Sequence, residues 1–232
     1  KSLIPNLKEE ILGVYSKDLK LIAKDLIKEN QHIKFMKNLP HKYHEENIIH
    51  ANIISYLSIE YNELIETIYE FLPYVQNWSV CDTLLKNNKT ILKNKDQFFE
   101  EVLDLLSSQK TYYMRFGILM CMTYFLEEKY VQKSIEKIIQ IEDNDYYISM
   151  GKAWYFATAL IKFSDQIIPI LLSQKLDIFT HNKTIQKAKE SYRIPQELKE
   201  YLTKIVKRVH IYLTAWNNKL WDDYNSGLLT NV

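Results

Sequence analysis

The stretch TYYMRFGILMCMTYFL (111–126), set beside YYISMGKAWYFATAL (146–160), decides the fold class. Both are apolar over their whole length, and both are too long for buried strands. They also align with each other. Tyr112-Tyr113-x-Arg115-x-Gly117 falls on Tyr146-Tyr147-x-Ser149-x-Gly151 at a spacing of 34, and Phe125-Leu126 falls on Ala159-Leu160. A helix-pair period in the thirties to forties marks an α-solenoid, in which each pair buries its apolar face against the next. Gly117 and Gly151 occupy equivalent positions in the two copies. Mid-helix glycine costs about 1 kcal/mol relative to alanine. A glycine kept twice therefore points to close helix packing or to close approach of a ligand backbone.

Helical periodicity extends outward in both directions. It predicts helices over 6–28 (one helix or a broken pair), 45–57, 60–72, 78–85 and 96–106. Beyond the first copy it predicts 131–141, 146–162, 165–172, 177–192 and a last helix from 195. An irregular helical bundle is the alternative to stacked pairs. No Gly-, Ser- or Pro-rich linker divides the chain, so one domain is expected over 1–232. Residues 206–232, with Trp216 and Trp221, read as a divergent cap or tail.

Composition excludes other classes. Only four of 232 residues are glycine, well under the average of about 7%. Sandwiches and barrels need many positive-φ turns, and Gly13, Gly117, Gly151 and Gly227 are too scattered for a phosphate loop. Thirty cations face 29 anions, so any basic surface must be local. Cys81 and Cys121 sit among apolar residues, which fits a reducing cytoplasm. The longest apolar run, 116–126, is too short to span a bilayer. The expectation is a cytoplasmic monomer without membrane contact.

Few residues offer chemistry. In Asn77-Trp78-Ser79-Val80-Cys81-Asp82, Asn77 suits a helix N-cap, and Trp78 and Asp82 stand one turn apart. A carboxylate beside an indole can hold a cation. The plainer reading makes Trp78 core and Asp82 a solvated first-turn charge. Arg115 is the first of only three arginines and lies in an apolar helix. It reads either as an interhelical partner for a carboxylate or as a phosphate or substrate contact. Trp154, among small residues, reads as core packing. Lys183, Lys187, Lys189 and Arg193 form a basic run that is either a solvated face or a phosphate contact. His41, His44 and His50 lack the spacing of two histidines four apart in a zincin motif, so no metal is expected.

Four ordered motifs carry a family resemblance: Asn-Trp-x-Val-Cys-Asp (77–82), Arg-Phe-Gly (115–117), Tyr-Tyr-x-x-Met-x-x-Ala-Trp (146–154) and Thr-x-Asn-Lys-x-x-Gln-Lys-x-x-Glu-Ser-Tyr-Arg (180–193). With them the chain resembles the AlkD-like DNA alkylation repair proteins, the HEAT-repeat alkylpurine DNA glycosylases, over roughly 10–205. The resemblance implies a concave groove that cradles duplex DNA. It implies cofactor-free excision of cationic N3- and N7-alkylated purines. By the same motifs Asp82 would stabilise charge on the deoxyribose and orient water. Trp78 and Trp154 would present π faces, and Arg115 would hold the lesion-strand backbone. The pattern departs at Tyr15-Ser16-Lys17, where the family carries a basic residue and a proline. That departure keeps a second reading open, a non-catalytic HEAT-like module that binds structured DNA or protein.

Overall fold

The computed structural model describes residues 4, 7–142, 145–173 and 175–206. The described residues are all-helical, with one isolated bridge pair, Glu10 with Tyr43. In order the helices are α1 (Ser16–Lys28), α2 (His32–Met36), α3 (His44–Tyr56), α4 (Tyr61–Phe71), α5 (Trp78–Cys81), α6 (Lys89–Lys93) and α7 (Lys95–Leu106). They continue as α8 (Thr111–Tyr124), α9 (Glu128–Ile139), α10 (Tyr146–Ala159), α11 (Ser164–Leu172), α12 (Ile178–Glu190) and α13 (Gln196–Lys204). Two compact units divide the chain between residues 155 and 156. No helix among the described residues is long and apolar enough to cross a membrane. Trp216, Trp221 and the rest of 207–232 lie outside the described residues.

In the first unit α7 packs on α8, α1 on α3, and α5 touches both α3 and α8. In the second, α12 packs on α13. α8 is buried continuously from Met114 to Cys121, as a helix apolar all round must be. α9 is amphipathic instead and buries Tyr130, Val131, Ser134, Ile135 and Ile138 on one face. At Gly117 a Cβ would meet the Leu106 side chain at 3.0 Å and its backbone nitrogen at 3.3 Å. Only glycine lets α8 approach α7 this closely. Gly151 is different, because a Cβ there would find only ordinary contacts at 3.7 Å.

Bonds between elements recur at a nearly constant interval. Tyr69 donates to Glu101 at 2.9 Å, 32 residues on. Lys95 pairs with Glu127 at 2.6 Å, and Lys133 with Glu100 at 3.5 Å, across 32 and 33 residues. Lys129 pairs with Asp96 across another 33. These bonds tie α4 to α7 and α7 to α9.

Three departures from the expected helices have identifiable causes. Helix 78–85 stops at Cys81, and Leu85 and Asn87 take positive φ of 60° and 56°. Their backbone bonds go elsewhere: the Tyr124 hydroxyl donates to the Leu85 carbonyl and accepts from Asn88 N–H, both at 2.8 Å. Asn88 is 1% exposed, and its amide donates to the Ile54 and Leu57 carbonyls at 3.1 and 2.8 Å. Its Oδ1 caps α6 by accepting from Thr90 and Ile91. Residues 7–15 are not helical either. The Glu45 carboxylate accepts Leu12 N–H at 3.0 Å and Gly13 N–H at 2.8 Å, with Gly13 at φ +83°. Burial pushes the Glu45 carboxyl up, but these backbone donors outweigh it and hold it below its usual range. Finally, α2 and α6 are five-residue pieces too short to show a period.

The histidines form a pair. His41 Nε2 and His50 Nδ1 lie 2.9 Å apart, with His50 stacked on Phe71 and His41 on Phe35. Burial, then the His41 charge, lowers His50 to about 3, and burial lowers His41 and His44 as well. No group of three potential His, Cys, Asp or Glu ligands gathers among the described residues.

These contacts set two expected outcomes. Asn88→Ala removes a cap and several buried bonds, so urea unfolding should show a loss of about 3 kcal/mol. Below pH 6.5 the unfolded chain protonates His50 while the folded chain refuses the proton until about pH 3. Stability is therefore full above that range and falls as pH drops through it, by about 2 kcal/mol at pH 5 from this residue alone. His50→Phe should flatten the acid limb in thermal melts taken from pH 7 to 5.

Candidate active site

α5 begins because Asn77 is extended and its Oδ1 accepts Val80 N–H at 3.1 Å. Trp78 opens the helix. Asp82 closes it, its N–H donating to the Trp78 carbonyl at 2.8 Å. The two side chains are thereby fixed one turn apart, as the spacing predicts.

Arg115 reaches Asp82 from α8. Its Nε donates to Oδ1 and its Nη2 to Oδ2, each at 2.9 Å, a bidentate fork. Nη1 donates to the Tyr147 carbonyl at 2.7 Å, so one guanidinium joins α5, α8 and α10. The Arg115 side chain is 6% exposed and the Asp82 side chain 18%. The Asp82 side chain is thus the more exposed of the two. Burial pulls the Arg115 guanidinium down, but the Asp82 bonds outweigh it and its pKa ends raised, so it stays charged.

Tyrosine rings of α8 and α10 pack together near the pair. The Tyr112 and Tyr147 rings lie 5.9 Å apart, and Tyr146 meets Tyr147 edge-on at 5.4 Å. The Cys81 thiol donates to the Tyr112 carbonyl, and full burial raises its pKa. Tyr112 is also raised, first by burial and then by Tyr147 and Asp145. Trp154 stands one turn beyond Gly151, and a Cβ on Gly151 would lie 3.7 Å from Arg115 Nη1. Trp154 is 39% exposed and so is not a core residue, while Trp78 is half-buried.

Asp82 and Arg115 are therefore joined directly. Trp78 is tied to them by helix register with Asp82, and Trp154 by its place on α10. The partners of Arg115 are a carboxylate and a carbonyl, the interhelical option of the sequence. The carbonyl of Tyr147 has no counterpart in any side-chain motif and leaves no mark in the sequence. Tyr112 is visible there only as a repeat marker.

The basic run does not form one face. Lys183 and Lys187 stand four apart on α12, both half-buried. Lys183 donates to Gln186 at 2.8 Å, and burial followed by the Lys187 charge lowers its pKa. Lys189 is exposed and, two residues on, points away from Lys187. Arg193 is exposed beyond the helix end, where its N–H donates to Ser191 Oγ at 3.2 Å.

Removing the guanidinium tests the clamp. Arg115→Leu strands the Asp82 carboxylate and should cost about 3 kcal/mol in urea unfolding. Arg115→Lys should recover only part of that, because an ammonium cannot make the fork. A Leu variant as stable as the parent would refute the clamp.

Among known proteins, a family model described as DNA alkylation repair enzyme matches residues 6–155 of the chain. No curated protein and no solved structure matches it.

Proposed function

The chain belongs to the DNA alkylation repair enzyme family, and from that premise we propose that it hydrolyses the N-glycosidic bond of cationic N3- and N7-alkylated purines in duplex DNA. A role in DNA repair follows from the family. The substrate and the chemistry are our reading of the site. The observation that carries it is the bidentate Asp82–Arg115 pair, with the Asp82 side chain partly exposed one turn from Trp78.

An alkylated purine is already positively charged and leaves readily. The protein need only stabilise the oxocarbenium-like deoxyribose and supply an aligned water. Asp82 does both in this scheme, and no cofactor is needed. Trp78 and Trp154 offer π faces to the cationic nucleotide. Arg115 acts through Asp82, fixing the plane of its carboxylate, rather than by gripping the lesion-strand backbone. The recurring 32- and 33-residue bonds support HEAT-like stacking of helix pairs beneath the site. Lys183 and Lys187, whose like charges oppose each other, suit a shared phosphate, with Lys189 and Arg193 as outer contacts.

The test is release of 7-methylguanine and 3-methyladenine from methylated duplex DNA by the purified protein. Asp82→Asn should lower the single-turnover rate about 100-fold, the scale of losing one electrostatic stabiliser. Trp154→Ala should lower it less. No release at low salt and excess enzyme would leave the non-catalytic reading in its place.

A further inference from the structure

Charge is distributed unevenly among the helices of the first unit. On α7 and α9, Lys95, Lys129 and Lys133 each pair with a carboxylate, from Glu127, Asp96 and Glu100. On α1 the cations are bare. Lys17, Lys20, Lys24 and Lys28 are all exposed, and among the described residues none of the four enters an ion pair. Helical spacing sets them in one line. Steps of three, four and four residues keep them on a single face over roughly 16 Å. The acids of the same helix, Asp18 and Asp25, stand roughly 100° round its axis. Leu19 and Ala23 are buried, so the line is carried on a packed helix.

The row connects to the candidate site. α1 packs on α3 and α3 on α5, which Asp82 closes. Lys24 Nζ lies 5.3 Å over the ring of Tyr56, which is 37% exposed at the end of α3. Beside it, Ser55 Oγ lies 3.3 Å from the Thr83 carbonyl and accepts Lys86 N–H at 3.3 Å. Thr83 follows Asp82, and the Lys86 side chain is exposed. A single series of elements therefore runs from the lysine row to Asp82.

Like charges three and four apart on a helix repel one another, and a polyanion turns that cost into attraction. Phosphates recur about every 3.4 Å along each strand of a duplex. Lysine meets them as a point charge on a flexible stem, so a row of this length can follow several. We propose that Lys17, Lys20, Lys24 and Lys28 hold the sugar–phosphate backbone of duplex DNA on the α1 side of the Asp82 site. This rests on the DNA reading above and gives that site a second, non-catalytic grip on its substrate.

Fluorescence anisotropy of the full chain with a short unmodified duplex, between about 50 and 200 mM salt, tests the row. Lys17→Gln, Lys20→Gln, Lys24→Gln and Lys28→Gln together should weaken binding at least about tenfold. They should also flatten the log–log salt slope by about 3 to 4, close to one per lost phosphate contact. Lys129→Gln with Lys133→Gln, at cations already paired, should leave the slope as it is. Circular dichroism melts check folding, and if the fourfold variant is unstable, Lys20→Gln and Lys24→Gln singly should each flatten the slope by about 1. An unchanged slope in the folded variants overturns the proposal. Leu21 and Ile22 are exposed on the same helix, so vesicles of phosphatidylserine and phosphatidylcholine serve as the competing probe. Tighter, lysine-dependent binding to them than to the duplex overturns it too. The chemistry is judged separately. If the parent releases no methylated base but keeps a lysine-dependent slope, the glycosylase reading fails and the row stands. Release with an unchanged slope gives the reverse.

Discussion

The Arg115 guanidinium holds the first unit's site in place. A cation only 5% exposed is costly unless each of its nitrogens finds a partner. Here three of its five N–H groups are matched to two carboxylate oxygens and a carbonyl on two other helices. The match is directional. A rotation of α10 would break the Tyr147 bond, and a shift of α5 would break the fork. One side chain therefore ties α5, α8 and α10 together, the helices whose register places Trp78 and Trp154.

Neutral groups do similar work farther along the chain. Asn88 gathers carbonyls released at the end of α3 and caps α6 with its own oxygen. Tyr124 accepts from and donates to the turn between α5 and α6. Glu45, a charged member of the same set, collects backbone donors from a segment 33 residues earlier. In each case an irregular backbone is held by one buried polar side chain from a neighbouring element. This is how a helical array keeps fixed, non-helical connections without glycine-rich turns.

What could be read from the sequence divides along the range of the interactions. The Asn77 cap, the Trp78–Asp82 register and the apolar character of α8 depend on residues within a turn or two, and all were legible. Gly117 was legible as a close approach because its partner is the preceding helix. The break after Cys81 was not, because it depends on Asn88 and Tyr124 bonding residues more than 30 positions away. The non-helical 7–15 segment depends on Glu45 in the same way. Arg115 was visible as an anomaly in an apolar helix, and a carboxylate partner was one of its two readings. The Tyr147 carbonyl could not be chosen, since a backbone group carries no residue-type signal. The histidine pair was likewise hidden, its members nine apart with their contact set by the approach to α3.

The geometry of the fork also answers an objection to the proposed chemistry. A carboxylate paired with arginine has part of its charge compensated, which should weaken it as a stabiliser of a cation. The compensation is one-sided. An ionised carboxylate has about four acceptor positions, and a bidentate guanidinium takes one on each oxygen. The remaining position on each oxygen points away from Arg115. Asp82 can thus accept from a water with one oxygen while the other faces developing positive charge. An unclamped aspartate would carry more net field but would have to be oriented at each turnover. A preorganised carboxylate needs no such reorganisation, and it is preorganisation that supplies most of the stabilisation in electrostatic catalysis.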